Sequence, residues 1–311
     1  MFFLRNIDSL RYFLAVAEHQ GIRKAANALS ITQPALTRRI QLLEEEVGSK
    51  LMERSEKGVA LTPAGEALLK AATQIELSCK RAQLEIKELT SGRLSELRVG
   101  AGPAWSYHIV PLALERLRAK HPELKVHIHA GMVDDMIDQL STGELDLIVG
   151  TLPGEQDSRD ELSYRYVTDV EVQIFCRNEH PLTKKDSVTA RDMLCFPWVW
   201  MSRSGAGRQH VAAFFNRAGQ ILPGATVTSN SFQSGLSMVE SGDYLMMLPT
   251  TLTEFVSARN MRPLNLNEKI WRYPAGVICL QQFSELRTVR DFHACLQQSL
   301  ADAPHRYPSS V

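Results

Sequence analysis

Ile7, Leu10, Phe13, Leu14 and Ala17 recur at helical spacing, and this stripe predicts a first helix over Asp8–His19. Ala25, Ala26 and Leu29 supply the apolar face of a short second helix, with Gly21 as its N-cap. A tight Ser30-Ile31-Thr32 stretch follows. Thr32 is placed to cap a third helix, and Pro34 falls in its first turn, where a missing N–H costs nothing. Leu36, Ile40, Leu43 and Val47 form the buried stripe of that helix, and Gly48 ends it. Lys50, Arg54 and Lys57 then flank a Gly58 turn ahead of Val59-Ala60-Leu61, the pattern of a two-stranded wing.

From Thr62 a longer helix begins. Leu68, Ala72, Ile75, Cys79, Ala82, Ile86 and Leu89 are spaced 4, 3, 4, 3, 4 and 3, an apolar heptad seam. Charged Glu76, Lys80, Arg81, Glu85 and Lys87 solvate the other faces. Such a seam seeks either a partner helix or the chain's own core, and dimerisation is the preferred reading. Ser91-Gly92-Arg93 closes the helix and marks a boundary.

Beyond it, strand and helix patterns alternate. Strands are predicted at Leu97–Ala101, Lys125–His129 and Leu145–Val149, with a helix from near Ala104 through Pro111–His121 and another over Asp134–Leu140. A second block follows, with strands Val170–Cys176, Trp198–Met201, Thr226–Ser229 and Leu245–Leu248 and helices Val211–Ala218 and Ser234–Ser241. Val277–Gln281 reads as a returning strand and Val289–Leu300 as a final amphipathic helix. The alternation implies parallel sheets covered by helices, in two α/β subdomains whose chain crosses over and returns around a hinged cleft. The division predicted is 1–62, 63–92 and 93–311, the last split into about 93–168 plus 270–311 and about 169–269.

Open α/β sheets bind ligands beyond the carboxyl ends of their strands. That rule nominates Gly102, Pro103, Ala104, Trp105 and Ser106, then Thr151, then Met201, Ser202 and Arg203 with Asn230 and Phe232, then Pro249 and Thr250. The first stretch offers backbone N–H groups at a helix start, Arg203 adds charge, and Trp105 and Phe232 offer rings for stacking. An organic anion is the ligand class that this set favours.

The composition is ordinary for a globular protein: 311 residues, 44% apolar, 23% charged, with 35 basic and 35 acidic side chains. This excludes a disordered chain and a globally basic nucleic-acid coat. The neutral total conceals an uneven spread. From His19 to Leu43 there are four basic residues, Arg23, Lys24, Arg38 and Arg39, and no acidic one. Residues 1–62 carry a net +2, residues 63–93 a net +1 and residues 94–311 a net −3. Arg5, Asp8 and Arg11 interrupt the apolar start too often for a secretory signal, and no run approaches a membrane span. Cys79, Cys176, Cys195, Cys279 and Cys295 form no CxxC pair. A cytoplasmic protein with reduced thiols is expected.

Other chemistry finds little footing. Gly100-Ala101-Gly102 lacks the third glycine of a dinucleotide fingerprint, because Trp105 stands there. His127 and His129 share a strand face without a third metal ligand nearby. Ser202–Gly207 is glycine-rich but lacks the ending of a phosphate-binding loop, and no nucleophile elbow occurs. No cofactor, metal or catalytic residue is therefore assigned.

Two short helices joined by a tight turn, the second with a polar outward face of Gln33, Thr37, Arg38 and Gln41, make a helix-turn-helix. That face suits base edges, and Arg38 and Arg39 suit phosphates. The string Ala25-Ala26…Leu29…Thr32-Gln33-Pro34-Ala35-Leu36-Thr37…Ile40…Leu43-Glu44, then Gly48…Leu51…Arg54…Leu61-Thr62-Pro63-Ala64-Gly65, resembles the N-terminal winged helix-turn-helix of LysR-type transcriptional regulators. One departure is the Gly21-Ile22-Arg23 start of the second helix, where the family usually has Ser; Arg23 there adds a phosphate contact. The resemblance implies that Gln33, Pro34, Thr37 and Arg38 face the major groove, with Thr32 at the helix start, and that Arg54 meets the wing-side backbone. It also implies a mainly α DNA-binding domain, a linker helix that makes a homodimer and thence a homotetramer, and an effector domain like periplasmic solute-binding proteins. A small molecule in the cleft would then alter the geometry of the DNA readers. Two rivals stand beside this: a small-molecule-binding protein or enzyme using the N-terminal helices only for assembly, and a redox sensor pairing Cys176 with Cys195.

Overall fold

The computed structural model describes residues 7–55, 58–91, 96–154, 157–201 and 205–302. The chain divides into two compact units, Met1–Leu89 and Thr90–Val311.

The first unit contains α1 (Ile7–His19), α2 (Ile22–Ala28), α3 (Gln33–Val47), a hairpin of β1 (Met52–Ser55) and β2 (Gly58–Leu61), and α4 (Pro63–Ser91). Local signals fix α3 as the sequence predicts. Thr32 is extended and its Oγ1 accepts the Ala35 N–H at 3.4 Å, Pro34 lies in the first turn, and Gly48 closes the helix at φ 73°. Thr32→Ala removes this cap and is expected to cost the unit about 1 kcal/mol in chemical denaturation. Leu10, Phe13, Val16, Ala25, Ala26, Leu36, Ile40, Leu43 and Leu51 make the core.

The seam of α4 has two fates. Leu68 and Ala72 are buried in that same core, and Ile75 packs against it. The first part of the seam therefore serves its own domain. Further along, Cys79 and Ala82 are exposed and Ile86 is 60% exposed. The side chain of Leu89 and residues 92–95 lie outside the described set.

In the second unit, β3 (Glu96–Ala101), β4 (Lys125–Ala130) and β5 (Leu147–Thr151) are parallel, covered by α5 (Pro103–Tyr107), α6 (Ile109–Lys120) and α7 (Val133–Thr142). A second parallel group holds β7 (Trp198–Met201), β8 (Val227–Ser229) and β9 (Leu245–Pro249), with α8 (Gly205–Arg217), α9 (Phe232–Ser241) and α10 (Thr253–Ser257). Between the groups run β6 (Leu162–Arg177) and β11 (Trp271–Leu280), paired antiparallel. The strand order is β4-β3-β5-β11-β6-β9-β7-β8, with β10 (Met261–Pro263) also on β6 and α11 (Arg287–Asp302) ending the described chain. The sheet is thus continuous and mixed: its two parallel groups flank the antiparallel β6–β11 pair, which the alternation of strand and helix does not display. The long β6 hands the chain from the first lobe to the second, and β11 returns it.

Two sequence boundaries change for physical reasons. The helix expected from Ala104 to His121 breaks at His108, which has φ −140° and ψ −64°. Pro111 explains this: its ring clashes with a helical carbonyl four residues back, at Tyr107. The strands predicted at Val170–Cys176 and Val277–Gln281 are parts of much longer ones. Charged Arg165, Asp169 and Arg272 hide the rest, because these half-exposed connecting segments lack a clean apolar run.

Candidate functional site

The outward face of α3 is open. Gln33, Pro34, Arg38 and Gln41 are exposed and Thr37 is half-buried, directly behind the buried Leu36, Ile40 and Leu43. Arg23 on α2 is exposed too. The Thr37 hydroxyl donates to the Gln33 carbonyl at 3.0 Å, so its oxygen is left as an acceptor. The Arg39 guanidinium lies 5.9 Å from the Tyr12 ring centroid, drawn onto the domain itself. Arg54 is on β1 opposite Val59, and its side chain lies outside the described set.

The hairpin is held at both ends. The Val59 N–H donates to the Gln20 carbonyl at 3.0 Å. Gly58 has φ 128°, and a β-carbon there would lie 2.4 Å from the same oxygen, so only glycine allows this approach. At the other end stands Glu44, on the buried side of α3. Its Oε1 accepts the Leu51 N–H at 2.9 Å and the Met52 N–H at 3.3 Å, and its Oε2 pairs with Lys50 Nζ at 2.6 Å. Glu44 belongs to the string that carries the family resemblance, but beside Glu45 and Glu46 its sequence position gives no sign that it turns inward. Burial alone would raise its pKa, but Lys50 and the two backbone donors prevail and hold it below the ordinary 4.5. A lowered folded-state value means stability that is present above about 4.5 and is lost as pH falls through the folded value. Acid titration of chemical unfolding is expected to show this loss for the native chain and to show less of it for Glu44→Gln.

The second set of residues gathers at the strand ends of the C-terminal unit. Gly102 follows β3, Thr151 ends β5, Met201 ends β7, Asn230 follows β8, and Pro249 ends β9 ahead of Thr250. Ser202 and Arg203 lie outside the described residues. Several of the rest are engaged by the protein itself. Trp105 is 2% exposed, so its ring packs in the interior and presents no face for stacking. Ala104 is buried among Leu236, Val239 and Leu252 of the other lobe. The Gly102 N–H donates to the Val149 carbonyl, while the Trp105 and Ser106 N–H groups both donate to the Gly102 carbonyl. Since Pro103 has no N–H, the row of free donors expected at this helix start is largely consumed. Ser106 Oγ donates to the Pro103 carbonyl at 2.9 Å, and Thr250 Oγ1 to the Glu171 carbonyl at 3.1 Å.

Phe232 faces Tyr107 at 4.9 Å between ring centroids, and Tyr107 meets Phe255 at 5.1 Å. His108 Nε2 and Glu254 Oε2 are 3.3 Å apart beside them. These contacts join the two lobes, and of these residues the strand-end rule marks only Phe232. Thr151 hydrogen-bonds Tyr273 of β11, whose phenol is pushed up to about 12 by burial. The structure offers the redox pairing no support. Cys176 is buried and its thiol is pushed up to about 12 by desolvation, while Cys195 is exposed; both are free thiols. No cluster of three or more metal-binding side chains occurs among the described residues. Among them, too, no helix is long and apolar enough to cross a membrane.

Comparison with known proteins agrees with this division. Residues 7–66 match the bacterial regulatory helix-turn-helix protein, lysR family, and residues 90–301 match the LysR substrate binding domain. The SDS degradation transcriptional activation protein of Pseudomonas sp. (strain ATCC 19151) is 29% identical over 269 residues, covering 85% of each chain. A full-length OxyR variant from Pseudomonas aeruginosa is 23% identical with a TM-score of 0.69, over 94% of each chain. Full-length CbnR in complex with target DNA is 21% identical with a TM-score of 0.63, over 94% of this chain and 99% of that one. A winged helix-turn-helix with an open, acid-free recognition face, joined to a two-lobed α/β unit and matched by both domain models, makes this chain a member of the LysR family of DNA-binding transcriptional regulators, with a C-terminal effector-binding domain.

Proposed function

We propose that α3 enters the major groove of promoter DNA with Gln33, Pro34, Thr37, Arg38 and Gln41, while Arg23, Thr32 and the wing residue Arg54 hold the flanking backbone. The observation that carries this is the α3 face itself: four exposed polar or proline positions over a fully buried stripe, in a window with four basic residues and no acidic one. Base edges select the sequence, and phosphate contacts set the register. CbnR, seen with its target DNA, supports the same use of the fold.

The exposed part of the α4 seam, Cys79, Ala82 and Ile86, suits a symmetry-related helix, giving a homodimer able to address two half-sites. A homotetramer would follow from pairing of two such dimers. The C-terminal unit receives a small organic anion between its lobes, near Gly102, Thr151, Met201, Asn230, Phe232, Pro249 and Thr250, with Ser202 and Arg203 on the adjoining segment. The ligand acts through differential affinity for two lobe arrangements, and no cofactor or catalytic step enters. Action on DNA supports a cytoplasmic location.

A thermal-shift screen of organic anions against the full chain tests the effector assignment. A ligand at a hundred times its Kd stabilises by about 2.7 kcal/mol. A hit that also changes the DNA footprint supports the reading. A hit chemically transformed on incubation overturns it in favour of an enzyme.

A further inference from the structure

The recognition helix, the wing and α4 meet at one junction. From the α3 side, the Glu44 carboxylate takes two backbone N–H groups where the chain enters β1, at Leu51 and Met52. From the α4 side, the Leu51 carbonyl accepts the Thr62 N–H at 3.0 Å, and the Lys50 carbonyl accepts Thr62 Oγ1 at 2.7 Å. Thr62 Oγ1 in turn accepts the Gly65 N–H at 3.1 Å. Two strands of four residues form a marginal hairpin by themselves, so such anchors decide where the wing points.

We propose that Glu44 is a positioning residue for DNA binding: its carboxylate sets the height and pitch of the wing against the recognition helix, bringing base reading and backbone contact into one register on the duplex. Glu44 is only 8% exposed and touches no DNA in this role. It acts through Leu51, which precedes β1, and Met52, which lies on β1 two residues ahead of Arg54. Lys50, 77% exposed, closes the remaining oxygen and offsets the repulsion that a carboxylate presents to phosphate. Both backbone N–H groups share Oε1 and Lys50 takes Oε2, so the clamp needs one acceptor oxygen held at the full length of the glutamate side chain. Aspartate retains the charge but falls a methylene short.

The proposal rests on the reading that α3 and the wing bind DNA, and the experiment separates the two. The full-length native chain is first used to enrich a duplex from a random pool, and hydroxyl-radical footprinting records its groove and wing-side protection. Failure at that stage removes the DNA-binding assignment and Glu44's role with it. Glu44→Asp, Glu44→Gln and Lys50→Gln are then compared on the enriched duplex, with circular dichroism and thermal midpoints beside the binding data. Glu44→Asp is expected to keep α3 protection, lose wing-side protection, bind about tenfold more weakly and lower the salt slope by about one, whereas Glu44→Gln, whose amide oxygen still accepts both N–H groups, is expected to keep wing-side protection. Lys50→Gln, which leaves the two backbone bonds intact, is expected to keep wing-side protection and serves if the Glu44 variants fold poorly. Wing-side protection surviving in Glu44→Asp overturns the proposal. So does loss of wing-side protection in Glu44→Gln, because the negative charge and not the reach of the acceptor oxygen would then set the wing. Loss of wing-side protection in Lys50→Gln overturns it as well, because the cation would then be the clamp.

Discussion

Gly276→Ala is expected to lower the stability of the C-terminal unit by about 3 kcal/mol or more, a fall of roughly 6–12 °C in its thermal midpoint. Gly276 lies at the β-bulge in the β6–β11 pair, opposite Tyr166. A β-carbon there would stand 2.0 Å from the Arg165 carbonyl oxygen and 3.1 Å from the Tyr166 Cα. Those are backbone atoms, so no side chain can swing aside, and the strands must part. These are the strands that carry the chain between the lobes, so lost pairing here strikes the whole sheet. Scanning calorimetry of the full chain checks this. An alanine variant that melts within about 2 °C of the native chain would show that the bulge absorbs a side chain freely.

Arg38→Ala is expected to weaken specific DNA binding by about 1–3 kcal/mol per half-site and to relax selectivity at the base it reads. The side chain leaves the exposed face of α3 one residue after Thr37 and two residues before the buried Ile40, so its removal opens no cavity and the fold should be unchanged. Arg39 is the internal control. Its guanidinium is engaged over Tyr12, so Arg39→Ala should cost less affinity at the same loss of formal charge. Fluorescence anisotropy across a salt series measures both, and equal losses would indicate that only net charge matters.

Where the physics was local, the fold was legible in the sequence. Thr32, Pro34 and Gly48 sit where cap chemistry demands and α3 begins and ends with them, so its outward residues could be named in advance. The seam of α4 was visible as a period but not as a partner, because periodicity does not say whether Leu68 and Ala72 meet their own domain or another chain. The lobes were harder to read. β6 and β11 carry charged and aromatic residues through a half-exposed crossing and resemble loops over much of their length. Pro111 breaks the helix before it at His108, which frees Tyr107 to meet Phe232 and Phe255 from the far lobe, a contact between residues 125 and 148 positions apart. Trp105 follows a strand end, where ligands bind, and so reads as a ligand-facing ring, yet its ring packs in the interior. Glu44 stands in the family string, but its role does not show there: its partners are backbone amides, which no residue pattern displays.

The most direct test of the account is enrichment of duplexes from a random pool by the full-length protein, repeated over a range of salt. The account predicts one enriched sequence with two related half-sites, an affinity that falls steeply with salt, and loss of enrichment in Arg38→Ala. Binding that shows no sequence preference at any salt would contradict it.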